Sequence, residues 1–402
     1  MKYVIVLPDG AADYPLPELG GQTPLQAANL PHTDAVARRG VIGRVRTVPA
    51  GYTPGTDVAT LTLMGYEPAR YFSGRAPIEA AARGLSASED ELIFRCNFVT
   101  ITDGRMRDFT ADHIDQAEAQ RLSDELNDLA RAGDPALAGC RFFAGVSYRN
   151  LLILAGAGHY DLECAPPHDI PDQPVDQHQP RGSGAGRVCA IMRRAAALLR
   201  DHEINRRRAA DGRPPVTDIW LWGQGRPVAL PTLQQRFGLR GAAITGVDII
   251  RGLAVLMGME LIEVPGATGY LDTDYRGKGA AALAALDDHD LVAVHVEAPD
   301  EAGHLGDARA KVAALEQIDE LIVGPLLQKL EQHGRWRLLV APDHPTPCGT
   351  TAHDAAPPPF CYAGTGVPAS EAAGFHEQAA EQSGLLIDPG HTLIERFFTQ
   401  GL

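Results

Sequence analysis

Carboxylate and imidazole side chains recur in three short segments near the C-terminus of this 402-residue chain. Five of them are spaced like metal ligands: Asp300, His304, Asp343, His344 and His353. An Asp-x-x-x-His pair alone is weak evidence, because a loop histidine can simply be hydrogen-bonded. Three such segments together favour a site for two divalent transition ions, Mn²⁺ or Zn²⁺, since Ca²⁺ prefers ligands that are all oxygen.

Two further candidates lie in the N-terminal quarter. Asp9 directly follows an apolar run, and Thr56 follows a Pro-Gly turn at the predicted start of a helix. The N–H groups and the dipole at a helix N-terminus attract anions, so the Thr56 hydroxyl is placed to hold a phosphoryl group. Threonine is also a common N-cap, and that alternative is open at this point.

The segments that carry these residues are typical of an α/β protein. Apolar, β-branched runs at 291–296 and 338–341 come just before two of the aspartates. The ends of such strands are where α/β proteins build their sites. Helices are predicted over 27–39 and 187–207, and the alternation of strands and helices predicts a mainly parallel sheet with helices on both faces.

The stretch from about residue 90 to 182 differs in character from the rest. It contains a strand-like segment at 92–99, a helical one at 114–132 and a loop rich in Pro, His, Asp and Gly. The candidate metal ligands lie only before and after it. We therefore predict a metal-binding core domain of residues 1–88 and 185–402, with an inserted α+β domain of residues 89–184 that covers the substrate.

Composition limits the class of protein. The formal net charge of −15 argues against nucleic acid and against an anionic membrane surface as partners. The chain has no apolar run of about 18 residues, which predicts no membrane span, and no signal peptide is recognisable. Six scattered cysteines without a CxxC pair fit reduced thiols. We expect a cytoplasmic enzyme with a small-molecule substrate; the sequence leaves open whether it forms a homo-oligomer.

Longer stretches of the chain resemble a known family. They cover residues 8–34, 54–85 and 264–279, with GTDVATLTLMGYEP, SGRAPIEA and the paired APDH and TAHD motifs as the most specific parts. Together they resemble the archaeal-type cofactor-independent phosphoglycerate mutases, which belong to the alkaline phosphatase superfamily of metalloenzymes. The resemblance extends over essentially the whole chain and implies an alkaline-phosphatase-like α/β fold.

The resemblance also implies roles for individual residues. It implies two metal sites with carboxylate, hydroxyl and imidazole ligands: Asp9, Thr56, Asp343 and His344 in one, and Asp300, His304 and His353 in the other. Thr56 would be the nucleophile, where the family usually has serine. The implied reaction interconverts 3-phosphoglycerate and 2-phosphoglycerate through a phosphothreonine, without 2,3-bisphosphoglycerate and without a nucleotide. Polar and cationic candidates to hold the substrate are Arg75, Arg95, Asn97, His113 and Arg149.

Three other functions stay open. Bacterial chains with a similar N-terminal segment have been proposed as homoserine kinases, although this chain has no P-loop. A metal-dependent phosphatase would keep every ligand and differ only in letting water reach the phosphoenzyme. A metal-binding scaffold without catalysis is the non-enzymatic alternative. Each substrate candidate also fits a surface ion pair.

Overall fold

The chain divides into two compact units in the computed structural model, which describes residues 1–399. The core unit comprises Met1–Phe72 together with the chain from Ala229 onward, and the inserted unit comprises Ser73–Val228. No helix within the described residues is long and apolar enough to cross a membrane.

Strands and helices alternate along most of the chain. The strands are β1 (Lys2–Pro8), β2 (Gly40–Val45), β3 (Leu92–Thr102), β4 (Arg105–Asp108), β5 (Cys140–Val146), β6 (Arg149–Leu154), β7 (Leu162–Glu163), β8 (Arg181–Gly182), β9 (Asp218–Gly225), β10 (Gly241–Ile244), β11 (Glu260–Leu261), β12 (Leu291–Val296), β13 (Trp336–Val340), β14 (Pro359–Gly364) and β15 (Leu386–Ile387).

The helices vary from single turns to four turns. They are α1 (Pro24–Ala27), α2 (Pro31–Arg38), α3 (Thr56–Leu63), α4 (Pro68–Tyr71), α5 (Arg75–Ala82), α6 (Gln116–Arg131), α7 (Ala185–Leu199), α8 (Glu203–Ala210), α9 (Leu233–Phe237), α10 (Asp248–Leu256), α11 (Tyr275–Asp288), α12 (Ala298–His304), α13 (Ala308–Ile318), α14 (Gly324–Gln332), α15 (Glu377–Gln382) and α16 (Leu393–Thr399). A π-helical segment, Asp319–Val323, joins α13 to α14.

The core unit is built on a mostly parallel sheet. Within residues 1–399 it has eight strands in the order β11-β10-β12-β1-β13-β14-β2-β15. Neighbours are parallel except at β14, which runs antiparallel to β13 and β2. Because β12, β1 and β13 are parallel neighbours, their carboxyl ends meet at the same end of the sheet. Ligands of open α/β sheets bind there.

Helices cover both faces of this sheet. Val4 and Val6 of β1 belong to a buried core that also includes side chains of α2, α11, α13 and α14. The alternate residue Tyr3 points to the opposite face and packs edge-on against Phe397 and Phe398 of α16. Because these strands are buried on both faces, their sequences are nearly continuous runs of Val, Ile and Leu. The predicted α/β class with a mainly parallel sheet is confirmed.

The inserted unit is an α+β unit with its own core. The strands β6 and β9 flank β3, all pairings are antiparallel, and β5 extends the sheet beyond β6. Its core combines side chains of the sheet, such as Phe94 and Trp220, with apolar residues of α6 and α7, such as Leu122 and Ile191.

The inserted unit is larger than the sequence predicted. Strand β9 pairs with β3 from Ile93 to Val99, and α7 packs into the same core, so both belong to this unit. The expected boundaries at 88/89 and 184/185 therefore lie inside it, and the unit runs from Ser73 to Val228. The residues around the second expected boundary lie at the surface of this unit, where the N–H of Ser183 donates to Asp161 O and Ser183 Oγ accepts from the N–H of Asp161.

Candidate metal centre and arginine cluster

The predicted ligands of the core unit follow the carboxyl ends of its central strands. Asp9 comes directly after β1, and Asp343 and His344 come just after β13. Asp300 and His304 lie on α12, which begins two residues after β12 ends. Their spacing of four residues puts both side chains on one face of that helix.

Gly10 allows these segments to approach one another closely. Its φ is +60°, and a Cβ at this position would meet Asp300 Oδ1 at 2.5 Å and Thr346 Oγ1 at 2.7 Å. Its backbone N–H donates to Asp343 Oδ1 at 3.1 Å. Only glycine combines this backbone conformation with so little space. The residue after Asp9 thus brings the three segments together.

The first ligand set consists of Asp300, His304 and His353. His304 Nε2 lies 3.1 Å from Asp300 Oδ2 and 2.9 Å from His353 Nε2, and His353 Nε2 lies 3.5 Å from Asp300 Oδ1. Two imidazole Nε2 atoms at hydrogen-bond distance have room for one proton between them. A cation bound by both lone pairs and by the carboxylate would satisfy all three groups, so the set fits a metal ion.

The second ligand set consists of Asp9, Thr56, Asp343 and His344. His344 Nε2 lies 3.6 Å from Asp9 Oδ1, 3.4 Å from Asp343 Oδ2 and 3.5 Å from Thr56 Oγ1. Asp9 Oδ1 and Asp343 Oδ2 are buried and have no hydrogen-bond partner among the described residues. Buried carboxylate oxygens are normally paired, and a divalent cation would satisfy these two, so this set fits a metal ion as well.

Two of the ligand histidines are anchored through Nδ1 to a backbone carbonyl. His304 Nδ1 lies 3.0 Å from Thr351 O, and His353 Nδ1 lies 3.3 Å from Pro54 O. A carbonyl oxygen only accepts, so each Nδ1 carries a proton, and Nε2 is the nitrogen available to a metal. The backbone thereby selects the tautomer that a metal ligand needs.

The pKa values of two carboxyl groups, Asp300 in the first set and Asp9 in the second, are shifted in opposite directions. Burial raises the pKa of Asp300, but hydrogen bonds from His304 and His353 outweigh it and hold that pKa well below its usual range. The hydrogen bond to Asp300 in turn raises the pKa of His304 to about 9. Burial and the neighbouring Asp343 raise the pKa of Asp9 well above its usual range. Carboxylates close to one another thus disfavour the ionised form of Asp9, an arrangement that a bound cation would relieve.

Thr56 is the first residue of α3 and is almost fully buried. The N-cap is Gly55, and no side chain caps this helix end. The simple N-cap alternative for Thr56 is therefore not what the structure shows. Its hydroxyl faces His344 Nε2 instead, beside the two unpartnered carboxylate oxygens.

Three of the predicted substrate-binding residues meet around Glu79 in the inserted unit. Glu79 Oε1 lies 3.0 Å from Arg75 Nε, and Glu79 Oε2 lies 3.0 Å from Arg95 Nε. Burial raises the pKa of Glu79, but Arg95, Arg75 and Arg149 together outweigh it and lower that pKa. The Arg95 guanidinium also lies over the Trp222 ring, with Cζ 4.3 Å from its centroid. Three guanidinium groups and one carboxylate leave a net positive charge suited to an anionic ligand.

The other two predicted substrate residues are placed differently. Asn97 is 2% exposed, donates from Nδ2 to Phe109 O at 3.2 Å and accepts from Trp222 Nε1 at 3.0 Å. Both ends of its amide are thus engaged within the unit. The ring of His113 lies 5.8 Å from that of Tyr148, and its backbone has a φ of 48°.

Comparison with known proteins decides the family. A family model described as 2,3-bisphosphoglycerate-independent phosphoglycerate mutase matches residues 37–205. A protein of that name from Methanothrix thermoacetophila is 47% identical over 395 residues, which is 98% of this chain and 98% of that protein. The chain belongs to this family. The family resemblance predicted from the motifs is confirmed.

Two solved structures extend the likeness to the fold of this mutase family. The cofactor-independent phosphoglycerate mutase from Thermoplasma acidophilum is 25% identical, with a TM-score of 0.67 over 99% of both chains. A protein from Pyrococcus horikoshii is 26% identical, with a TM-score of 0.79 over 98% of this chain and 96% of that one.

Two polar residues beside Asp9, His295 and Lys278, were not predicted from the sequence to belong to the site. His295 Nε2 lies 2.8 Å from Asp9 Oδ2, and His295 Nδ1 lies 3.2 Å from Thr245 Oγ1. Burial lowers the pKa of His295 to about 3, so it is neutral and donates its one proton to Asp9. This bond occupies Oδ2 and leaves Oδ1 for the second ligand set. A histidine within the apolar run LVAVHV was the available signal.

Lys278 is the second such residue. Its sequence context, Gly-Lys-Gly, suggests a solvated side chain, but Lys278 is fully buried and donates to His295 O at 3.1 Å. Burial lowers the pKa of Lys278 to about 8, and the nearby Glu297 opposes that shift. The Glu297 carboxyl is itself raised to a pKa of about 8 by burial and by Asp300. These groups form a buried polar layer beside Asp9.

Proposed function

We propose that this protein interconverts 3-phosphoglycerate and 2-phosphoglycerate through a phosphothreonine formed on Thr56. The observation that carries the proposal is the convergence of the Thr56 hydroxyl, His344 Nε2 and two unpartnered buried carboxylate oxygens. Relatives that are similar over nearly the whole chain are named for this activity.

Two divalent ions, Mn²⁺ or Zn²⁺, are proposed as the cofactors. The first ligand set would hold one ion and the second ligand set the other, because each set brings imidazole nitrogen and carboxylate oxygen together. Bound ions of this kind lower the pKa of a hydroxyl and neutralise phosphoryl oxygens.

The proposed transfer of the phosphoryl group has two steps. Thr56 Oγ1 attacks the phosphorus of 3-phosphoglycerate; the new O–P bond forms as the bond to the C3 oxygen breaks, and that oxygen takes up the proton lost by Thr56. The C2 hydroxyl then attacks the phosphothreonine, and its proton returns to Thr56. The N–H groups at the start of α3 favour the negative charge of the phosphoryl group in both steps.

We assign the glycerate carboxylate to Arg75, Arg95 and Arg149 of the arginine cluster. Arginine binds a carboxylate through two parallel hydrogen bonds, and a ligand held by its carboxylate can present either hydroxyl in turn. Glu79 keeps two of these guanidinium groups in place, and Trp222 supports one of them. Asn97 would act through Trp222, whose Nε1 donates to it, and His113 stays a predicted contact of the substrate.

An enolase-coupled assay tests the proposal. Metal-depleted protein is incubated with 3-phosphoglycerate, without 2,3-bisphosphoglycerate, before and after addition of Mn²⁺ or Zn²⁺. We expect activity only with metal, and His353→Ala to lose most of it, whereas His333→Ala, a change at an exposed residue, retains it. Full activity after exhaustive chelation would contradict the two-metal assignment.

Parallel reactions separate the alternative functions. Release of inorganic phosphate from 3-phosphoglycerate, without formation of the 2-isomer, would identify a phosphatase. ATP-dependent phosphorylation of homoserine would identify a kinase. We expect neither reaction to match the rate of isomerisation.

A further inference from the structure

A lysine with no part in the metal sets lies fully buried behind them. Lys311 of α13 is 0% exposed, and its ammonium group donates to Ala12 O at 3.3 Å, Asp13 Oδ2 at 3.0 Å and Thr346 O at 2.9 Å. An ammonium group has three protons, and each has an acceptor here. A buried ion pair of this kind is weak evidence for stability, because removing two charges from water is costly. The ion pair instead restrains the segments of the chain that it connects.

The Lys311–Asp13 pair joins two ligand-bearing segments. Ala12 and Asp13 lie on the segment that follows Asp9, and Thr346 lies on the segment that carries the ligands of β13. Asp13 Oδ2 also accepts from the N–H of Cys348 at 3.0 Å. The pair therefore fixes the two segments to each other at the end of the sheet.

Thr346 connects Lys311 to two of the candidate ligands. Its hydroxyl donates to Asp300 Oδ1, and its oxygen lies 3.2 Å from His344 Nδ1. A hydroxyl that gives its proton to Asp300 can only accept from His344, so His344 carries its proton on Nδ1. Nε2 of His344 is then left for the second ligand set. One fully buried side chain thus orients one ligand of each set.

We propose that Lys311 is a positioning residue of the metal centre, which sets the affinity for divalent ions by holding Thr346 against Asp300 and His344. The inference rests on the proposed two-metal function. It predicts that the two ion sites weaken together when this connection is broken, because Thr346 contacts one ligand of each.

The first test uses changes at Thr346, which keep the backbone oxygen that Lys311 binds. Thr346→Val removes the hydroxyl and preserves the shape, and Thr346→Ser restores the hydroxyl. Chelator-treated protein is titrated with Mn²⁺ in a calorimeter. We expect Thr346→Val to weaken binding at both sites by about ten- to hundred-fold, as loss of partners around metal ligands does elsewhere, and Thr346→Ser to remain close to wild type.

The second test changes Lys311 together with its partner. Lys311→Met combined with Asp13→Asn removes both charges, so that no buried carboxylate is left unpaired. The control is Lys329→Met, because Lys329 also donates to a carbonyl, Leu283 O, at 2.8 Å but its side chain is 26% exposed. We expect the double variant to bind Mn²⁺ about ten- to hundred-fold more weakly and to regain turnover at saturating Mn²⁺, which a loss of folding would not allow.

The outcomes distinguish this inference from the proposed function on which it rests. Wild-type protein that binds neither Mn²⁺ nor Zn²⁺ would overturn the proposed function and this inference with it. Wild-type protein that binds Mn²⁺ no more tightly than folded Thr346→Val would overturn the inference alone. A folded double variant that binds Mn²⁺ as tightly as wild type would overturn the role of Lys311. If the double variant does not fold, equal Mn²⁺ affinities of Thr346→Val and Thr346→Ser would overturn the inference, because Lys311 is proposed to act through Thr346.

Discussion

Neighbouring groups, and not burial alone, set the opposite directions in which the pKa values of Asp9 and Asp300 shift. Asp9 and Asp300 are both buried, yet the pKa of Asp9 is raised and that of Asp300 is lowered. Asp9 faces Asp343, a second carboxylate, whereas Asp300 accepts hydrogen bonds from His304 and His353. In the absence of metal, a proton takes the place of a cation on His304, and the raised pKa of Asp9 favours a proton there.

Metal binding should therefore release protons. His304 has a pKa of about 9, so below that pH it is mostly protonated and must lose its proton before Nε2 can ligate. The neutral fraction grows as pH rises from neutrality to about 9, and we expect the affinity for Mn²⁺ to rise over the same range and then to level off. The raised pKa of Asp9 acts in the same direction.

Calorimetry in buffers with different ionisation enthalpies measures this release. The control is His333→Ala, at an exposed histidine, which should release as many protons as wild type. An affinity that does not change between neutral pH and about 9 would contradict the assignment of His304 as a ligand.

Thr56 is the residue on which the mechanism depends. Thr56→Ala should fold, keep most of its metal and lose turnover, since no oxygen remains to carry the phosphate, and Thr56→Ser should stay active. Thr60→Ala, one turn along the same helix, is the matched control and should keep turnover. Acid quench followed by mass spectrometry should place the phosphate on Thr56.

A different outcome would identify a different role. Loss of an N-cap costs about 1 kcal/mol and leaves chemistry intact, and Gly55 already occupies that position. Phosphate found on Asp57, on Thr60 or on a histidine, or near-normal turnover of Thr56→Ala, would show that Thr56 is not the nucleophile.

Residue types and spacing predict the candidate ligands but not Lys311 and Thr346, which we propose to hold them. Asp9 and Asp343 end apolar runs, which is a pattern visible in the sequence. Lys311 lies on an alanine-rich helix two residues after Arg309, and Thr346 lies between two prolines, so nothing local distinguishes them from surface residues. Their burial follows from contacts between segments far apart in the chain, which the sequence does not display.

At the level of elements, the positions of strands were predicted better than the ends of helices. The helix expected over 27–39 begins only at Pro31 and ends at Arg38, because α1 ends at Ala27 and Pro31 occupies the first position of α2. The helix expected over 187–207 breaks after Leu199, where His202 caps α8 by accepting from the N–H of Ile204. Pro31 marks the first helix start and the cap residue His202 marks the second.

Gly10 gives a prediction at this level, because it controls how closely three segments pack. Gly10→Ala would place a Cβ 2.5 Å from Asp300 Oδ1 and would strain a backbone at φ +60°. Gly20→Ala is the matched control, since Gly20 has φ +67° and nothing within 4 Å of the added Cβ. Both changes should cost about 1–2 kcal/mol in backbone strain, and only Gly10→Ala should also weaken Mn²⁺ binding.

Chemical denaturation and Mn²⁺ titration of the two variants measure these effects. Equal metal affinity for both variants would mean that the contact of Gly10 with Asp300 does not position the ligand.

At the level of the whole molecule, the extent of the inserted unit was the feature hardest to predict. The metal ligands mark what lies outside it, but α7 and β9 carry no ligands and resemble the alternating elements of the core unit. Pairing in the sheet assigns them: β9 lies against β3 along most of the length of that strand. The ends of the unit also meet, because Ser73 Oγ donates to Arg226 O at 2.7 Å.

These contacts predict which fragment can fold alone. Residues 73–228 should give a cooperative thermal transition and a dispersed amide NMR spectrum, because the unit has its own core and its ends are adjacent. Residues 89–184 should not, because they lack β9 and α7, and β3 would expose an unpaired edge and apolar side chains such as Phe94. Cooperative folding of residues 89–184 would support the domain boundaries that the distribution of candidate metal ligands predicted. Folding of only the longer fragment would show that strand pairing, and not the distribution of ligands, defines the inserted unit.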